Sequence, residues 1–170
     1  MEPAITIRRA VAGDEATIRA TRLAALRQAP EAFCSTLERE FARTTQDWTR
    51  WISPGATFLA VASDHAEEPQ IGLVACALDA ASPGIVELMA LWVDPTHRGS
   101  GASVGLIDAV VAWAVDAGAT TVRLDVLADN QPARRLYDRC GFTVVRVGRG
   151  APSLVTMHRL VTMHRAVPSS

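Results

Sequence analysis

Lysine is missing altogether: all 17 basic residues are arginine, set against 18 acidic ones for a formal net charge of -1. The bias is of the kind that genomic codon usage imposes. The near-neutral balance removes the electrostatic reason to expect nucleic acid as a partner. Cysteine is scarce, and Cys34, Cys76 and Cys140 are odd in number and widely spaced. That pattern argues against both a disulfide framework and a zinc site, and no metal is expected. Long apolar runs are absent too, because Asp108 and Asp116 interrupt the longest candidate for a membrane span. The first residues, Met1 to Ala4, lack the basic and apolar pattern of a signal peptide. The expectation is a soluble, cytoplasmic protein with no membrane partner. What is present, 49% hydrophobic and 21% charged residues over 170 positions, suits one domain with a sizeable core and excludes a disordered chain or a fibre.

The chain is organised around residues 85 to 105. Ile85 to Val93 is an apolar run rich in β-branched and aromatic residues, Asp94-Pro95 stops it, and Gly99 and Gly101 lead into a long apolar-periodic segment. This order predicts a buried strand, a glycine-rich loop and the N-terminus of a helix. Free backbone N–H groups at the positive end of a helix dipole favour an anion, and glycines let it approach the main chain closely. Gly99, Gly101 and Gly105 also fit a loose dinucleotide-binding fingerprint, with Asp125 about 20 residues downstream. Two observations oppose that reading. About 65 residues follow Gly105, too few for a doubly wound remainder at roughly 30 residues per βαβ unit, and Asp125 lies inside its strand rather than at its end.

The flanking chain reads as alternating strands and helices. Ala4 to Arg8 is a first strand, and Asp14 offers an N-cap for a helix to about Gln28. Ile18, Leu23, Ala25 and Leu26 give that helix an apolar stripe, with Arg19, Arg22 and Arg27 facing elsewhere. Ser35-x-x-Glu38 and Thr44-x-x-Asp47 predict two short capped helices, whose Phe33, Phe41, Trp48 and Trp51 read as core anchors. Thr57 to Ser63 and Gln70 to Asp79 form a hairpin around a polar turn that carries His65. The central helix runs from about Ala102 to Ala117 and Gly118 closes it. Thr121 to Leu127 is a second buried strand, parallel to the first through a right-handed crossover. Pro132 opens a short helix carrying Tyr137, and Phe142 to Val147 and Leu154 to Leu160 make a last antiparallel pair. Thr156-Met157-His158-Arg159 recurs as Thr162-Met163-His164-Arg165, a local duplication that extends the last strand or forms a tail.

Two ordered segments resemble the GNAT superfamily of acyl-CoA N-acyltransferases. The first is the Arg/Gln-x-x-Gly-x-Gly/Ala loop between strand and helix, matched by Arg98, Gly101 and Ser103, with Ser103 departing from the usual Gly or Ala. The second is Asn130-x-x-Ala133-x-x-x-Tyr137-x-x-x-Gly141-Phe142. The resemblance covers about residues 57 to 160 well. It implies an α/β (α+β) GNAT fold: a mixed, mostly antiparallel sheet of about seven strands with a splayed parallel pair, flanked by helices. One domain spans 1–170, with a core of about 4–161 and a tail of 162–170.

The resemblance also implies a chemistry: transfer of acetyl from acetyl-CoA, as co-substrate, to a primary amine of a small molecule or peptide. In that reading the diphosphate lies on the backbone of Gly99, Ser100, Gly101, Ala102, Ser103 and Val104, with Arg98 adding charge. The pantetheine arm pairs with main-chain groups of Leu91, Trp92 and Val93 as a strand adds to a sheet edge, and Asn130 contacts it. Tyr137 is the general acid that protonates the departing thiolate. Glu87 and Asp125 are the candidate bases, with Glu87 preferred, because an acid inside an apolar strand must be partnered or face a cleft. An ion pair from Asp125 to Arg123, or to an arginine of the Tyr137 helix, is the structural alternative. Cys140 lies near the expected thioester but has no evident basic partner. A homodimer is a family expectation only. A different class, an acyl-CoA-binding module without turnover, is also compatible with these residues.

Overall fold

A computed structural model describes residues 4–63, 70–150 and 152–161. Seven strands, β1 (Ile5–Arg9), β2 (Ala56–Ala62), β3 (Gln70–Leu78), β4 (Ile85–Val93), β5 (Thr121–Leu127), β6 (Thr143–Val147) and β7 (Leu154–Leu160), form one sheet in the order β1-β2-β3-β4-β5-β7-β6. Every neighbouring pair is antiparallel except β4 and β5. Both strand limits at the centre match the sequence reading. His65 and the second Thr-Met-His-Arg copy lie outside the described residues.

The strands are apolar because helices cover both faces. α4 (Ala102–Asp116) lies on one face, where Leu106, Ile107 and Val110 pack with Val74, Val86 and Val122. α1 (Glu15–Gln28) and α3 (Thr45–Ile52) cover the other, where Ile18, Trp48 and Ile52 meet Leu59, Leu73 and Trp92. β2 is consequently buried along its whole length, as expected of a strand sandwiched between two helical layers. α2 (Leu37–Phe41) and α5 (Gln131–Arg139) flank the open end of the sheet. β6 forms one sheet margin, with Val144, Val145 and Val147 exposed.

Three local expectations shift. Asp14 stands at the N-cap of α1, but its carboxylate is taken by Arg8 at 2.8 and 3.0 Å and by the Val11 N–H. α2 is capped by Thr36, whose hydroxyl accepts from the Arg39 N–H, one residue beyond the expected Ser35. The Thr44 and Asp47 capping box does form. The aromatic set divides: Trp48 is buried, Phe41 is 57% exposed, and Phe33 lines the cleft described below.

The parallel pair is short. Only Ile85, Val86 and Glu87 pair with Thr121, Val122 and Arg123, after which β4 and β5 part. On its other side β4 stays paired with β3, but the register slips between Leu73 and Ala75, and Ala90 adopts φ 60°. This is a β-bulge: one extra residue bends the strand and turns its main chain out of line with β5.

Gly72 sits beside the bulge, opposite Val93. A Cβ there would lie 2.7 Å from the Trp92 carbonyl oxygen and 3.1 Å from Val93 Cγ2. Gly72→Ala is therefore expected to force β3 away from β4 and to destabilise the fold by about 1–3 kcal/mol. A lowered urea midpoint at unchanged slope is the measurement that checks it.

Candidate active site

The glycine loop enters α4 through Gly101, whose φ of 86° lies in the left-handed region that glycine adopts without strain. Among the described residues no protein group accepts a hydrogen bond from the N–H groups of Gly99 to Val104, whereas the Gly105 N–H is satisfied by the Gly101 carbonyl. These donors are the orphan amides of a helix start, and their direction and partial positive charge suit a diphosphate. Gly105, the third glycine of the dinucleotide-like pattern, has a packing reason instead: a Cβ on it would come 3.0 Å from Ile7 of β1.

A cavity of about 610 Å³ runs from this loop to the sheet, lined by Arg98, Gly99, Gly101, Ala102, Ser103 and Val104 and by Leu91, Trp92 and Val93 of β4. Ser100 is outside its lining and donates its hydroxyl to the His97 carbonyl at 2.5 Å. Gln28 at the end of α1 joins this wall, because its side-chain oxygen accepts from Trp92 Nε1 at 3.0 Å and from Arg98 at 3.4 Å. A second cavity of about 520 Å³ lies across the splayed strands, with Glu87, Asp125, Phe33, Arg22, Arg39 and Arg43 in its walls. Ala32, Phe33, Leu91, Asn130, Ala133 and Tyr137 line both. The two spaces therefore meet at the gap between β4 and β5.

Tyr137 stands at that junction. α5 presents it because Asn130 caps the helix, accepting from the Ala133 N–H at 3.3 Å, and Pro132 occupies the first turn. The ring packs edge-on to Phe142 with centroids 5.7 Å apart. Tyr137 is 8% exposed, and burial, with the Cys140 thiol adding to it, pushes its phenol well above the ordinary value. The hydroxyl is thus protonated throughout the neutral range. Asn130 lines both cavities, although its carbonyl oxygen is occupied by the cap.

The two carboxylates differ. Arg123 pairs with Glu87 and also with Asp79, so the ion pair that the sequence offered to Asp125 is made by Glu87. Hydrogen bonding to Glu87, followed by its charge, holds the Arg123 guanidinium above its ordinary value. Asp125 is exposed and accepts from the Thr156 hydroxyl at 2.5 Å. Cys140 lines neither cavity, and burial, with the nearby charge of Asp108, pushes its thiol up and away from the thiolate form.

The sequence reading missed the α1–α2 wall. Arg22, placed there on the solvent side, is 5% exposed, and Glu40 of α2 is 1% exposed. Arg22 lies 3.6 Å from Glu40, and Arg43 Nε lies 2.5 Å from the other Glu40 oxygen. Burial would raise the Glu40 carboxyl, but Ser35, Arg43 and Arg22 outweigh it and hold the group below the ordinary 4.5. The signal for Arg22 was available: it falls four residues after Ile18 and four before Leu26, on the apolar stripe itself.

Among the described residues no helix is long and apolar enough to cross a membrane. No three His, Cys, Asp or Glu side chains among them gather where a metal could bind.

Comparison with known proteins agrees with this architecture. Residues 22–142 match the model of the Acetyltransferase (GNAT) family. Mycothiol acetyltransferase of Mycobacterium leprae is 33% identical over 104 residues, covering 57% of this chain and 33% of that protein. Streptothricin acetyltransferase of Escherichia coli is 34% identical over 77 residues, covering 39% and 44% respectively. The chain thus spans about a third of the mycothiol enzyme's length. A GCN5-related N-acetyltransferase from Kribbella flavida superposes with a TM-score of 0.74 at 22% identity, over 93% of this chain and 98% of that one. A GNAT-family acetyltransferase from Streptococcus pneumoniae gives 0.77 at 20% identity, over 94% and 100%. With the family model matched over more than half its length, the chain belongs to the acetyltransferase (GNAT) family.

Proposed function

We propose that this protein, as one domain, transfers the acetyl group of acetyl-CoA to a primary amine of a small molecule or peptide by direct attack. The observation that carries the reading is the junction at Tyr137, where a cavity that begins at free loop amides opens into a second cavity with room for an acceptor. The amides of Gly99 to Val104, with Arg98, hold the diphosphate. The β4 edge beyond Glu87, free of strand pairing on its β5 side, offers Leu91, Trp92 and Val93 to the pantetheine arm. The amine attacks the thioester carbonyl, the carbon–sulfur bond breaks, and the Tyr137 hydroxyl gives its proton to the leaving sulfur. A raised thiol at Cys140, outside both cavities, speaks for direct transfer over an acyl-cysteine.

The incoming ammonium must lose a proton before attack, and the carboxylates of the second cavity are the candidate acceptors, directly or through water. Glu87 has its charge engaged by Arg123, whereas Asp125 is held only by a hydroxyl in the hydrogen bonds described. Asp125→Asn is therefore expected to lower kcat/KM by about 10²-fold, as measured by steady-state thiol release. Glu87→Gln should cost less in the same assay. The reverse order of the two losses would make Glu87 the base.

The decisive experiment is a thiol-release screen of diverse amines with acetyl-CoA. Steady release with at least one acceptor supports transfer. Acetyl-CoA binding without turnover across the panel would favour a binding module, and a melting temperature raised by NAD(P) and not by CoA would favour the dinucleotide reading.

A further inference from the structure

The second cavity carries a feature that the transfer chemistry does not use. Arg22 lines it while 5% exposed, and neither its Nε nor its Nη1 has a hydrogen-bond partner. A buried guanidinium keeps its charge and all its donors, so unpartnered N–H groups there are costly unless something fills them. Glu40 does not fill them. Its closer partner is Arg43, at 2.5 Å, and it approaches Arg22 only through Nη2, at 3.6 Å. Two cations share one anion, and the trio carries a net charge of +1. The Phe33 ring lies 4.6 Å from the Arg22 guanidinium carbon. The Trp51 ring lies 5.9 Å from the same carbon, so two aromatic rings pack on the guanidinium and hold it in the wall. The wall on β4 and β5 has the opposite character, with Glu87 and Asp125.

A cavity with cations on one wall and carboxylates on the other fits a guest with both charges. We infer that the acceptor amine bears a carboxylate, which docks on the cationic wall of Arg22, Arg39 and Arg43 while its ammonium end lies toward Glu87, Asp125 and the Tyr137 junction. The inference rests on the transferase reading and narrows its substrate class to amino acids or short peptides with a free C-terminus. Arg22 is a specificity-determining residue here and touches no reacting atom.

The test uses matched acceptors with acetyl-CoA: free amino acids and dipeptides, their C-terminal amides, and the corresponding amines without a carboxyl group. The protein should prefer the acids over the amides by 10- to 100-fold in kcat/KM, the range expected of a charge-assisted hydrogen bond. Free amino acids and dipeptides, compared with each other, distinguish the two sources of the carboxylate. In Arg22→Met the ratio of acid to amide should fall to about one, with Arg22→Lys keeping part of it. If Arg22→Met does not fold, the acid-to-amide ratio of the unaltered protein decides alone. If no acceptor turns over, melting with CoA present decides: protection by millimolar amino acids and not by their amides supports the site, and no protection overturns it. Equal rates for acids and amides overturn the inference and leave the transferase reading standing. Failure to bind acetyl-CoA at all removes both.

Discussion

Tyr137→Phe is expected to lower thiol release from acetyl-CoA by about 10²-fold or more, the contribution typical of a positioned general acid. The substitution removes one hydroxyl and keeps the ring, which is what packs against Phe142. Stability should therefore hardly change, and acetyl-CoA should still raise the melting temperature. The loss should fall on kcat, because the proton is needed only as the carbon–sulfur bond breaks. Burial raises the phenol pKa, so the proton is present at neutral pH, and the acid's contribution should fade only in strongly alkaline solution. A variant with unaltered kcat would strip Tyr137 of the role and leave it as a packing residue of α5.

Glu40→Gln is expected to cause the largest loss of stability. It leaves Arg22, almost wholly buried, without a counter-charge, whereas Arg43 is 29% exposed at its side chain and can turn to water. Removing one partner of a buried pair costs about 3 kcal/mol or more. For a domain of this size that corresponds to a melting temperature lower by roughly 6–12 °C. Adding Arg22→Met should restore part of the loss, since the second change removes the stranded charge. The pH dependence has a defined sign. The Glu40 carboxyl is held below its ordinary 4.5 in the fold, so its contribution is complete above that value. It is lost as acid takes the pH down through the lowered one. Glu40→Gln should accordingly flatten the acid side of the stability curve. Equal acid sensitivity of both proteins would show that other carboxylates control it.

Much of this frame was legible in the chain. β4 and β5 were bounded by Asp94-Pro95 and by turn residues, and their lengths follow from the apolar runs alone. The loop was legible because Gly99 and Gly101 sit between a strand pattern and a helix pattern, where positive φ is needed. Tyr137 followed from its place in a motif, and Pro132 and Gly141 independently framed its helix. What stayed hidden depends on pairs distant in sequence. Arg22 lies on the stripe of α1, but a charged residue reads as solvent-facing until its partner is known, and Glu40 comes from a different helix. Glu87 and Asp125 looked alike as acids in apolar strands. Only the register, which sets Glu87 beside Arg123 and Asp125 beside Thr156, separates them. The Ser35 cap failed because Thr36 offers the same hydroxyl one position on, and a single residue decides which backbone N–H it meets.

The kink at Ala90 makes one strand serve two ends. Up to Glu87, β4 seals the core against β5; beyond it, the same strand becomes a doorway. Holding one alanine in a left-handed conformation costs about 1–2 kcal/mol, a small toll beside the ladder that the rest of the strand retains with β3. The gap in the sheet is thus framed on one side by a strand still anchored to its neighbour, so its width is set by the fold itself.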